Sequence, residues 1–293
     1  MEINEIIKKV EHNGRDFMLP LNEISLGVGV DTIESVIKEV SYTLTPRAKI
    51  QLLDRLGIPL KYYDKCPDYL KSTQLEHWAK EDKNIAYLRT DEQSLRAVLT
   101  ERFKPYDNAD FLRDIEPTLE GVDYKIQHTT ITDELMVVGI VTNGTEDWSM
   151  GLVLYNSEVG VSSIRAKVYL HSPLVGEGVI CEELHNVSHT KSGRENVDGW
   201  LRECFMKVEH MAEERLAFMA EFVETKCAVE TEMADIGIPL YVMDKVLIDM
   251  TDEYDTAGNL LHALLGQADL FSGDKKIKTM EKLGSWISGY IDA

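Results

Sequence analysis

The sequence predicts an α+β fold: an antiparallel sheet with N-terminal helices packed on it, followed by a mainly helical C-terminal third. Three observations carry that expectation. A helical hydrophobic period gives way at Asn84 to a period of two. Several alternating segments separated by turn signals then follow, and from Gly199 the helical period returns and stays. The 293 residues are enough for two domains, expected at 1–195 (an α+β core) and 196–293 (helical and acidic).

Element by element, residues 3–10 read as a helix, Asn13-Gly14 as a turn and residues 17–21 as an extended piece. Asp31 is a candidate cap for a helix beginning Thr-Ile-Glu-Ser-Val. Thr45-Pro46 is a cleaner start, because threonine caps well and proline at the first helical position wastes no hydrogen bond. Ala48, Leu52, Leu53 and Leu56 then recur at helical spacing until Gly57. Further helices are expected over 60–64 and 67–80. Strands are expected over 85–89, 95–104, 124–131, 135–142, 150–155 and 162–171, with a short helix from Asn108 or Asp110 to Leu119. Alternation along 95–104 sets Leu95, Ala97, Leu99, Glu101 and Phe103 on one face and Arg96, Val98, Thr100, Arg102 and Lys104 on the other. From Trp200 to Val223 an apolar stripe extends over six turns with Glu and Lys opposite. With Trp286, Ile287, Tyr290 and Ile291 near the C-terminus, it predicts apolar surface for self-association, hence a homo-oligomer. Gly57-Ile-Pro-Leu60 followed by Asp64-Lys65 recurs as Gly237-Ile-Pro-Leu240 followed by Asp244-Lys245, which suits two helix–tight turn–helix corners.

Charge excludes more than it identifies. The formal net charge is −20, yet residues 47–113 hold 13 Lys/Arg against 11 Asp/Glu, and the rest of the chain is −22. Residues 195–255 hold 16 acids and five bases, either a solvated face or a surface for a protein partner or a mimic of DNA charge. The longest apolar run is seven residues, and the start lacks the basic and apolar regions of a secretory signal, so neither membrane nor export is expected. Cys66, Cys181, Cys204 and Cys227 are scattered without a CxxC spacing, which suits free thiols in a reducing cytoplasm.

No catalytic motif names a reaction: P-loops, GxGxxG fingerprints and serine nucleophile elbows are absent. Cys181, His185 and His189 would share a helical face and suit zinc, but the spacing is not that of a zinc motif, and no metal or cofactor is expected. The constellation that points to a ligand is basic and aromatic. Arg89, Arg96, Arg102, Lys104 and Arg113 lie in or beside the first long strands, interleaved with Tyr87, Phe103 and Tyr106. Cations that track a backbone and aromatic faces that stack on bases are what single-stranded nucleic acid requires. The expected nucleic-acid-binding residues are therefore Arg89, Arg96, Arg102, Lys104, Tyr106 and Arg113.

Several blocks occur in a characteristic order: Leu44-Thr-Pro-Arg-Ala48, Leu56-Gly-Ile-Pro59 with Tyr62-Tyr63, Glu76-His-Trp78 and Tyr87-Leu-Arg-Thr90. They are followed by Arg96-Ala-Val-Leu-Thr-Glu-Arg-Phe-Lys-Pro-Tyr-Asp-Asn108 and Tyr155-Asn-Ser-Glu-Val-Gly160. Over residues 43–170 the chain resembles the phage- and plasmid-encoded "phage/plasmid-like" proteins, a family classed as a domain of unknown function. That family tends to carry a Cys-Thr-Asn-Gly stretch after its last strand, where this chain has Leu174-Val-Gly-Glu-Gly178. The resemblance implies a mobile-element protein working in the host cytoplasm, and by analogy of element order a likeness to single-strand annealing recombination proteins. The expected function is non-enzymatic binding of single-stranded DNA in recombination or repair. The alternatives are an acidic protein that binds or inhibits a host complex through 195–255, and a virion or assembly component.

Overall fold

The computed structural model describes residues 2–11, 14–29, 33–190, 196–250, 254–267 and 273–291. The Asn13-Gly14 turn and the Asp31 cap fall partly or wholly outside them. The fold is α+β, built on two large sheets of six and five strands rather than one, with a two-stranded sheet pairing residues 226–228 with 254–256.

Helix α1 (Ile3–Val10) buries Ile3, Ile6, Ile7 and Val10, the spacing of a single helical face, against α5. The first sheet follows from β1 (Asp16–Pro20), β2 (Ser25–Val28), β3 (Ile33–Ile37), β4 (Val40–Leu44), β5 (Ile85–Thr90) and β6 (Ser94–Thr100). Its order is β1-β5-β6-β4-β3-β2, antiparallel throughout except between β4 and β6. The helix expected after Asp31 is strand β3. Ile33 and Ile37 are buried while Glu34 and Val36 face outward, a period of two that five residues between turns can satisfy and a helix cannot.

Helices α2 (Pro46–Arg55), α3 (Leu60–Tyr63) and α4 (Asp68–Glu81) separate β4 from β5, and α2 and α4 pack on this sheet. Thr45 Oγ1 accepts the Ala48 N–H at 3.2 Å, the expected cap. After α2, Gly57 lies at φ +68° and Ile58 N–H reaches back to the Leu53 carbonyl at 2.9 Å. At the other copy of the Gly-Ile-Pro-Leu sequence, Gly237 lies at φ +72° and Ile238 N–H bonds the Met233 carbonyl at 2.9 Å. Both are Schellman-type helix ends followed by a proline-started helix, so the repeated sequence encodes one corner twice.

Helix α5 (Asn108–Leu119) leads to the second sheet, an antiparallel meander in the order β11-β10-β9-β8-β7. Its strands are β7 (Lys125–Ile131), β8 (Met136–Gly144), β9 (Ser149–Asn156), β10 (Ile164–Ser172) and β11 (Glu177–Val187). Met136, Val138, Ile140, Leu152 and Leu154 share a core with α1, α5 and α6, whereas Val137, Val153, Tyr155 and Tyr169 share one with Ile277 and Met280 of the last helix. Burial on both faces explains the near-continuous apolar run of β8.

Helix α6 (Val197–Phe222) carries the six-turn stripe. It is followed by β12 (Lys226–Ala228), α7 (Val229–Ile236), α8 (Leu240–Asp249), β13 (Tyr254–Thr256), α9 (Ala257–Gly266) and α10 (Asp274–Ile291). Trp200, Leu201, Cys204, Val208, Ala212, Met219 and Phe222 are buried in the core shared with the second sheet, so the stripe is consumed within the chain. The C-terminal aromatic patch is consumed likewise. Trp286 Nε1 and the Tyr290 hydroxyl donate to the two oxygens of Glu232 on α7, at 2.6 and 2.7 Å, and both rings stand edge-on to Phe222. The surfaces that predicted self-association are interior packing. The boundary expected after residue 195 falls at the turn into α6, whose core is continuous with that of the second sheet. Among the described residues no helix is long and apolar enough to cross a membrane.

Candidate nucleic-acid interface

The two sheets are joined by the loop after β9, and here two of the sequence blocks meet. Asn156 Nδ2 donates to the Tyr106 carbonyl at 2.8 Å and to Asn108 Oδ1 at 2.9 Å. Glu158, 3% exposed, accepts the Asn108 N–H at the start of α5 at 2.7 Å and pairs with Arg96 Nη1 of β6 at 2.9 Å. Gln51 of α2 bridges the same joint. Its Nε2 donates to the Val159 carbonyl at 2.8 Å, and its Oε1 accepts the Val98 N–H at 2.9 Å.

This joint takes up two of the expected DNA contacts. Arg89 sits on β5, covered on both faces, and is 0% exposed. It pairs with Asp107, lies 3.4 Å from Asp16 and donates to the Glu158 carbonyl at 3.1 Å. Burial alone pulls a guanidinium's pKa down; the Asp107 and Asp16 carboxylates outweigh it and hold Arg89 above its ordinary value. Arg96 is committed to Glu158. Neither guanidinium is placed for a phosphate, because withdrawing it would strand a carboxylate that depends on it. Tyr106 is 2% exposed, edge-on to Phe111 with its hydroxyl donating to Asp114, so its ring offers no face to a base. Arg113 is half-exposed but bonded to Asp110 and Glu11.

The strand expected over 95–104 ends at Thr100, and Glu101-Arg102 forms a turn. Arg102 and Lys104 therefore leave the sheet. Both are exposed, and among the described residues neither makes an ion pair. Arg102 lines a groove with Trp78 of α4, Arg55, Ile85 and Thr100. Trp78 is 47% exposed, a large ring left facing out. Glu81, Asp82 and Glu101 also line the groove, with Asp82 held by Arg55 at 2.6 Å. Arg55 and Thr100 are shared with a second cavity of about 530 Å³ floored by Val98, Leu99 and Phe103. The groove and the cavity thus share Arg55 and Thr100 near the end of β6.

Of the expected site residues, only Arg102 lines this surface; Lys104 is exposed just after Phe103 but lines neither pocket. Trp78 and His189 join it from α4 and from beyond β11. In the sequence, the signal for Trp78 was a polar neighbourhood, since α4 buries only Leu75 and Ala79. The zinc arrangement does not form. Cys181 and His185 lie on a strand, where four residues span roughly 13 Å, and His185 stacks on Trp200 at 4.2 Å while His189 stacks on Phe103 at 5.0 Å. Among the described residues no group of three or more His, Cys, Asp or Glu is placed to hold a metal. All four cysteines are free.

No family model, curated protein or solved structure matches this chain.

Proposed function

We propose that the protein binds single-stranded DNA without acting on it chemically, as a mobile-element protein of annealing-type recombination or repair. The observation that carries this reading is the pairing of exposed Trp78 with Arg102 in one groove, which shares Arg55 and Thr100 with the cavity lined by Phe103, while Lys104 stands exposed just after Phe103 in the chain. A ring to stack a base beside cations for the backbone is the minimal single-strand platform. The strongly acidic remainder repels a polyanion and restricts it to this groove. The test is binding of single- and double-stranded oligonucleotides at low salt. Single-strand binding weakened by Trp78→Ala supports the proposal, and no binding of either form by the wild-type protein ends it.

One observation favours the protein-partner alternative. On α8, inside the acidic stretch, Leu240, Tyr241 and Ile248 are 76%, 54% and 78% exposed. Capture of a host complex that is lost on changing Leu240 and Ile248 to Ser would support that reading.

A further inference from the structure

We propose that helix α8 is a self-association surface, on which a second copy of this chain docks with the two α8 helices side by side and parallel about a two-fold axis. The inference is independent of the DNA reading, and it assigns the α8 patch to a second copy rather than to a host protein.

The second Gly-Ile-Pro corner starts α8, and Val242 and Val246, both 0% exposed, fix the side that faces the core. Met243 and Leu247 are partly buried against that core. The opposite side carries Leu240, Tyr241, Asp244, Lys245 and Ile248, all exposed. At about 100° per residue these five share one arc of roughly 140°. At the matching corner after α2, Leu60 packs against the core of the first sheet, whereas Leu240 has no such cover and is 76% exposed. Large apolar side chains held together in water on one helical face mark a surface that association removes.

The charges select the partner. Tyr241 and Ile248 are one heptad apart and so lie almost on one line down the arc. Asp244 falls about 50° to one side of that line and Lys245 about 50° to the other, both midway along it. Among the described residues neither makes an ion pair. Two such helices running parallel about a two-fold axis set apolar line against apolar line, and each Asp244 then faces the partner's Lys245. An antiparallel pair would instead bring like flanks together, Asp244 against Asp244 and Lys245 against Lys245, which repel. A face complementary to itself in shape of pattern and in charge is what an isologous contact needs. One helical face is small beside the roughly 800 Å² per partner of a standard interface, so the dimer is weak, with a dissociation constant on the order of 10–100 μM. Each copy carries a net charge of −20, but at about 0.15 M salt charges more than about 8 Å apart are largely screened, while the short pairs across the contact persist.

The test is sedimentation equilibrium of the full chain from about 5 to 500 μM at about 0.15 M salt, which brackets that constant. The expected result is a reversible monomer–dimer equilibrium that Ile248→Ser and Asp244→Lys each weaken about tenfold or more. Asp244→Lys also lowers the negative charge of the chain, so an association governed by overall charge would strengthen instead. Lys245→Asp should weaken the dimer, and combining it with Asp244→Lys should restore it, because the swap re-forms both pairs. Ile248→Cys should cross-link two copies under mild oxidation, since the parallel two-fold sets this position opposite itself. Melting temperatures check that each variant folds, which substitutions at exposed positions should leave unchanged. A monomer at every concentration overturns the proposal and leaves the patch to a different protein. A dimer indifferent to Asp244→Lys, or one that Ile248→Cys does not cross-link, overturns it as well, because the contact then lies elsewhere or runs antiparallel.

Discussion

Arg96 on β6 and Glu158 in the loop after β9 are 62 residues apart in the chain, and Arg96 Nη1 lies 2.9 Å from Glu158 Oε2. Glu158 is 3% exposed, and its other oxygen takes the first backbone N–H of α5. The carboxylate therefore faces a guanidinium and the positive end of a helix at once. This pair, with Gln51 and Asn156, fastens the first sheet to the second near the end of β6.

Breaking that pair from either side leaves a buried charge unmet, so Arg96→Ala and Glu158→Ala should each destabilise the fold by about 3–5 kcal/mol. The double variant should lose less than the sum. Urea unfolding of the three variants measures this. Single losses below about 1 kcal/mol would show that the joint does not hold the sheets.

On the single-strand reading proposed above, Arg102 and Lys104 are the residues that would face phosphate. Changing both to Ala should leave urea stability within about 0.5 kcal/mol, since both are exposed and, among the described residues, make no ion pair. With about 0.7 counterion released per phosphate on single strands, the log–log salt dependence of binding should become shallower by about 1.4. An unchanged slope would place the backbone elsewhere.

Acid sensitivity has a named source in His128 of β7. Burial pushes its pKa down to about 4, and Lys276 of α10 and His171 of β10 add to the effect. Glu177 of β11 lies 3.9 Å from its Nδ1 and itself pairs with Lys276, while Thr130 hydrogen-bonds Nε2 at 3.0 Å. The unfolded chain takes up this proton near pH 6.5 and the folded one near pH 4. Stability is therefore intact above about pH 7 and declines as the pH falls from 6.5 towards 4, by on the order of 3 kcal/mol in full. Burial lowers His171, His185, His189 and His262 as well, so they act in the same direction. Chemical denaturation between pH 7 and 5 should show the decline, and His128→Gln should flatten it.

Helix α10 covers the edge strand β11 by close approach. A Cβ on Gly284 would stand 2.0 Å from the Ile180 carbonyl oxygen, which is backbone and cannot turn aside. Gly284→Ala should lift the helix and cost about 1–3 kcal/mol or more. Gly289, on the same helix with open space around it, should gain up to about 1 kcal/mol when changed to Ala. Thermal unfolding of the pair separates contact from helix propensity.

The thiols should be inert in the native state. Burial pushes Cys181 up to about 12, and Cys204 and Cys227 up to about 11, so little thiolate exists near neutrality. A thiol reagent at pH 8 should leave these three unmodified over minutes and titrate four groups after denaturation. Fast native labelling of more than one thiol would contradict the packing around α6 and β11.

Local chemistry settles what local sequence can show. The Thr45 cap, both Gly-Ile-Pro-Leu corners, strands β1 and β5 to β10 and the long helix α6 are readable because each depends on neighbours within one or two turns or on simple alternation. Strand β11 was not readable, because bulges at Ala166–Lys167 and Lys167–Tyr169 shift its pairing and break the period of two. Strand β3 was too short for its helix-like composition to be outvoted locally. The site shows the same division. Sequence identified a basic and aromatic segment around β6, but an arginine reads alike whether it meets solvent or a carboxylate 62 residues away. Only the tertiary fold assigned Arg89 and Arg96 to the joint, left Arg102, Lys104 and Trp78 outside, and brought His189 against Phe103. The reason is physical: burial and ion pairing are set by which distant segments pack together, and no local period encodes that.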